Sequence, residues 1–90
     1  MSDTNDRHGQ TFYFTFGCGH VLSRHVQPIR ARNWNDARLK MLEMYGDKWS
    51  SQYDRVEWKR VSEKYGPYEP LPTASVNEYE AASLEERIGR

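Results

Sequence analysis

Only one cysteine, Cys18, occurs in the 90 residues, so no disulfide can close within the chain. A reducing compartment is implied, and a staple that many small folds use is absent. No apolar run approaches the roughly 18 residues that a membrane span needs. Residues 1–10 carry no apolar side chain after Met1 and so lack the hydrophobic stretch of a secretion signal. The expectation is a soluble intracellular chain with no membrane partner. Charge of one sign is missing as well: 13 Lys+Arg stand against 13 Asp+Glu, and without a basic excess strong binding to duplex DNA is not expected. No GxxxxGK(S/T) motif occurs, which excludes P-loop phosphate chemistry, and Gly17-Cys18-Gly19 is too short for a dinucleotide fingerprint. Apolar residues are scarce too, at 37% against 29% charged, close to the lower limit for unaided folding.

What the chain does have is aromatics: three Trp, six Tyr and three Phe. Each removes about 150–250 Å² from water when buried, so six or seven of them can carry a compact core. Phe12, Phe14 and Phe16 alternate with Tyr13 and Thr15, a period of two that predicts a strand with three phenyl rings on one face. Gly17 and Gly19 then allow a bend. A second extended segment is predicted over 25–31, where Pro28 lacks a ladder donor and implies an edge or a bulge.

Helix punctuation follows. Asn33 fits an N-cap and Gly46 a C-terminal cap, with Trp34, Ala37, Met41 and Met44 as an apolar stripe between them. Asp54 with Glu57 can cap another helix, in which Trp58, Val61 and Tyr65 recur before Gly66-Pro67; alternation over 56–59 also permits a strand, and the cap and stop favour the helix. Residues 49–53 leave room for one short strand. Beyond residue 66 three prolines crowd into six positions, where Tyr68 and Leu71 can pack as an extended edge, and the rest is rich in Glu, Ala and Ser, with room for a short frayed helix over 81–88.

The expected organisation is therefore a disordered arm over 1–10, one α+β domain over 11–66, and a flexible tail over 67–90, Pro-rich and then acidic. Within the domain the order β-β-α-β-α predicts a small three-stranded, largely antiparallel sheet with two helices on one face. Phe12, Phe14, Phe16, Ala37, Met41, Met44, Trp58 and Val61 are expected inside.

The zero net charge conceals an asymmetry. Residues 1–62 hold 10 basic and 7 acidic side chains, and 63–90 hold 3 and 6. Arg24, Arg30, Arg32, Arg38 and Lys40 face only Asp36 between positions 24 and 40, so this segment is the electrostatic focus. Guanidinium groups bind phosphate bidentately and stack on bases. An acidic protein surface or a phosphorylated ligand could dock there, and the plain alternative is a solvated basic face offset by the acidic tail. Cys18, His20 and His25, with His8, fall short of the paired spacing that structural metal sites show. A Cys18–His20 nucleophile lacks the orienting third group that such chemistry needs. No metal, cofactor or catalytic residue is expected.

Phe14-Thr15-Phe16-Gly17-Cys18-Gly19-His20, followed by Tyr45-Gly46, Trp49 and Gln52-Tyr53, resembles a group of small bacteriophage proteins with an N-terminal FTFGxGH motif and a central FGxxWxxQY motif. The resemblance covers roughly residues 12–66, and its motifs mark a lineage rather than a chemistry. It points to Phe14, Gly17, Gly19, His20, Trp49 and Tyr53, and it puts Cys18 at the variable position. It implies a phage or prophage protein of the host bacterial cytoplasm that modulates a host factor, including antagonism of host defence. Combined with the basic segment, it gives His20, Arg24, His25, Arg30, Arg32, Trp49 and Tyr53 as candidate binding residues. The partner is then a host protein or, alternatively, a phosphorylated small molecule or nucleotide held as in a sponge. A homodimer through an edge strand is also anticipated.

Overall fold

The structure is a computed structural model that describes residues 9–88. It is an α+β fold built on the alternation of the first strand. β1 (Gln10–Thr15) pairs antiparallel with β2 (His25–Ala31), which sets Phe12 opposite Ile29 and Phe14 opposite Gln27. β3 (Ser51–Tyr53) pairs antiparallel with the other edge of β1, with Gln52 opposite Phe14. Because side chains alternate, Phe12, Phe14, Ile29 and Ala31 share one face, while Tyr13, Thr15, Val26 and Tyr53 share the other. The bend between β1 and β2 uses Gly19 at φ 91°, a left-handed conformation that a Cβ would strain.

α1 (Trp34–Tyr45) roofs the phenyl face. Asn33 Oδ1 accepts the Asp36 N–H at 2.8 Å, and Gly46, at φ 65°, returns its own N–H to the Leu42 carbonyl. Each phenyl ring meets the edge of another ring: Phe12 with Trp34 at 5.7 Å, Phe14 with Trp49 at 5.2 Å and Phe16 with Tyr45 at 5.0 Å. Edge-to-face pairs of this kind add about 0.5–1.5 kcal/mol each beyond the area they bury. The core is aromatic, as its composition implied, with Ile29, Met41 and Leu84 as its main aliphatic fillers.

α2 (Arg55–Tyr65) begins with a complete capping box: Asp54 accepts the Glu57 N–H and the Glu57 carboxylate accepts the Asp54 N–H. This helix does not join α1. It lies across the opposite face, where Trp58 stacks on Tyr13 with centroids 5.3 Å apart and planes 9° from parallel. The expectation of two helices on one face is thereby corrected. Tyr13 points away from the phenyl rings, and the large apolar surface it presents needs its own cover. Trp58 and Val61 accordingly sit half-buried in this second layer and not in the phenyl core.

The larger correction concerns residues 67–88, expected as a flexible tail. β4 (Glu69–Pro70) and β5 (Ala74–Ser75) add two short parallel strands to β2, making a five-stranded sheet in place of three strands. α3 (Glu78–Ile88) then packs on α1. Val76, Ala81 and Leu84 are buried in the main core. On α1, Leu39 is buried, whereas Met44, expected inside, is 39% exposed. Of the arm expected to be disordered over 1–10, Gln10 belongs to β1 and residues 1–8 lie outside the described residues.

β2 is an interior strand, not the edge that Pro28 suggested. Residues of β2 that share Pro28's orientation bond to the later strands, with the Arg24, Val26 and Arg30 carbonyls accepting from Glu69, Leu71 and Val76. The missing N–H of Pro28 thus falls in the gap between β4 and β5. Buried Gln27 fills that gap with its side chain, donating Nε2 to the Pro28 carbonyl at 2.9 Å and the Pro72 carbonyl at 2.8 Å, while Oε1 accepts the Tyr45 hydroxyl at 2.8 Å. Gln27→Leu strands three polar groups, and each unmet buried group costs about 1–3 kcal/mol. The expected loss in chemical denaturation is about 3 kcal/mol or more; a loss below about 1 kcal/mol would show that water replaces the amide.

Candidate functional site

Folding distributes the basic segment instead of collecting it. Arg32 is held by Asp36 at 2.7 Å and by Glu78 at 3.3 Å. Lys40 is held by Glu80 at 2.6 Å and Glu43 at 3.3 Å, and Arg87 of α3 closes on Glu43 at 2.8 Å. The acidic tail that balances the chain in sequence does so in space, so Arg32 and Lys40 clamp α3 to the body.

These pairs carry a pH signature. Lys40 has its pKa raised, chiefly by the hydrogen bond to Glu80 and against the effect of burial. Its contribution is complete below the ordinary lysine value and is lost as pH rises through the folded value. For Glu43, burial pushes the pKa up, but the hydrogen bonds and charges of Lys40 and Arg87 outweigh it and lower the carboxyl overall. That contribution is present above the ordinary carboxylate value and is lost on acidification. Lys40→Met is expected to lower Tm by about 2–4 °C at neutral pH, from about 0.5 kcal/mol, and to flatten the alkaline fall of Tm. An unchanged alkaline limb would count against the clamp.

The other candidates are scattered over the fold. His20 lies in the β1–β2 turn, its ring 4.9 Å from that of Phe16 and its Nδ1 accepting the Leu22 N–H at 2.9 Å. Trp49 rests its edge on Phe14, donates to the Gly46 carbonyl and lies under the Arg38 guanidinium at 5.2 Å. His25 starts β2, with Nδ1 buried and without a hydrogen-bond partner among the described residues. Arg24 lines a shallow groove with Tyr68 and Glu69. Arg30 and Tyr53 reach the second sheet face, where Trp58 adjoins both Tyr53, at 5.9 Å between centroids, and Tyr68 of the Arg24 groove, at 5.1 Å. Among the described residues no three His, Cys, Asp or Glu side chains come together in the manner of a metal site.

The concentration of chemistry is on that second face, beside α2. Arg55, Trp58, Lys59 and Ser62 recur at i, i+3, i+4 and i+7, one stripe of a helix, and they form a groove of about 500 Å³ with Tyr13 and exposed Val56. A second groove of about 270 Å³ adjoins it and shares Arg55 and Val56, with Thr11 and Arg30 on the far wall. Arg30 donates from Nη1 to the Thr11 hydroxyl at 3.4 Å. Among the described residues, three cations and no carboxylate line these two grooves. Sequence reasoning identified Arg30 and missed Arg55, Trp58 and Lys59. The helical spacing of the three was readable, but which face of the sheet α2 covers was not.

Comparison with known protein families, curated proteins and solved structures returned no match.

Proposed function

We propose that this protein is a noncatalytic binding protein of phage origin that acts in the bacterial cytoplasm by occupying a host factor, with the α2 grooves as its contact surface. The observation that carries the reading is the separation of its charges. Arg32 and Lys40 are neutralised by carboxylates, whereas Arg30, Arg55 and Lys59 line two grooves floored by Tyr13, Val56 and Trp58 that hold no acid among the described residues. A rigid platform with a basic rim suits recognition of an acidic partner or anion. The phage-type motifs of β1 and β3 support the setting, since they build the sheet that positions this surface. Cys18 is exposed in the turn, and His20 is tied to Leu22 and Phe16, so both act here as turn residues. Among the described residues the outer edge of β3 has no paired strand, which favours pairing with a second copy as the route to a homodimer.

The test is capture from infected host lysate, read for proteins and small molecules by native mass spectrometry. Arg30→Glu is expected to abolish capture and Cys18→Ala to leave it intact. Capture unaffected by Arg30→Glu moves the site elsewhere, and loss with Cys18→Ala reinstates the thiol.

A further inference from the structure

We infer that the two adjoining grooves form one bipartite site for a nucleotide: a phosphate subsite at Arg30, Arg55 and Thr11, and an apolar subsite against Tyr13, Val56 and Trp58. The inference rests on the occupancy reading above and names its ligand class. The smaller groove places two guanidinium side chains in one wall system, with the Thr11 hydroxyl already engaged by Arg30 Nη1. Guanidinium groups match phosphate oxygens bidentately, and a pair of them selects an anion with several acceptors over a single carboxylate. The larger groove opens from the same Arg55 and Val56 onto Tyr13 and Trp58, which stack on each other, so it offers a flat group an apolar wall of aromatic edges and the Val56 side chain. Lys59 stands on its rim as a further cation.

A ligand that fills both must be anionic at one end and flat and apolar at the other, which is the chemistry of a nucleotide. Three other grooves each include a carboxylate, Glu69, Glu80 or Asp47, and such a wall repels phosphate. At the start of α2 the Glu57 N–H is engaged by Asp54 and the Asp54 N–H by Glu57, so the anion is assigned to the Arg30 and Arg55 side chains.

The test is titration calorimetry on the full chain with the four ribonucleoside monophosphates, a cyclic dinucleotide, adenosine, inorganic phosphate and a ten-nucleotide single-stranded DNA. At least one nucleotide is expected to bind at least about tenfold more tightly than adenosine or phosphate alone, since each of those fills one half of the site. Arg55→Gln, an exposed position, is expected to weaken that binding at least about tenfold with Tm unchanged, and Arg30→Gln to do the same. Nucleotide binding no tighter than that of adenosine or phosphate overturns the assignment, as does tighter binding of the oligonucleotide or indifference to Arg55→Gln. If no nucleotide binds but Arg30→Glu still abolishes capture of a host protein, the ligand class falls and the occupancy reading stands. If capture is indifferent too, both fall.

Discussion

Ending the chain after Pro72 is expected to abolish cooperative folding. That truncation removes β5, Val76 and the whole of α3, and with α3 go Ala81 and the fully buried Leu84. A buried Leu→Ala change alone costs about 3–5 kcal/mol, against a total stability of about 5–15 kcal/mol for a domain. A chain of this size sits toward the low end of that range. Lost with the helix are its ion pairs to Arg32 and Lys40. The measurement is a thermal melt by circular dichroism with a proton–nitrogen correlation spectrum. Collapsed amide dispersion and no transition are expected, whereas a melt within about 5 °C of the full chain would make residues 73–90 an appendage.

Phe14→Ala is expected to cost about 3–5 kcal/mol in denaturant unfolding. Phe14 is fully buried at the centre of the phenyl face, and its ring receives Trp49 edge-on. Phe14→Leu retains most of the volume but loses the edge-to-face geometry, and about 1–2 kcal/mol is expected. Exposed Trp34, on the neighbouring ring Phe12, provides the contrast. Trp34→Ala should cost less than Phe14→Ala, because it leaves no enclosed cavity. The reverse order would place the centre of the core nearer Phe12.

What could be read from the sequence followed local physics. The β1 alternation, the β2 boundaries, both Asn33- and Asp54-capped helices and the short β3 all rest on neighbours within a few positions, and the structure reproduces each. What could not be read depended on partners distant in sequence. Residues 67–88 look weakly apolar because their anchors, Leu71, Ala74, Val76, Ala81 and Leu84, are spread among prolines and acids. The acids, read as solvated charge, are partners of Arg32 and Lys40. Trp58 was legible as a helix residue but not as one for the second face, since period alone does not say which side of the sheet a helix will cover. The site suffered most. Proximity along 24–40 grouped side chains that the sheet then sends to different faces, and the cations that line one groove come from β2 and α2.

The location of the contact surface is the central claim, and charge reversal on opposite faces tests it most directly. The paired variant Arg55→Glu/Lys59→Glu alters the α2 face, and Arg38→Glu alters the α1 face beside Trp49. Both leave the cores untouched, and Tm is measured for each. Capture of the host factor is predicted to vanish for the first at unchanged Tm and to persist for the second. Persistence with Arg55→Glu/Lys59→Glu, together with loss on Arg38→Glu, would contradict the account.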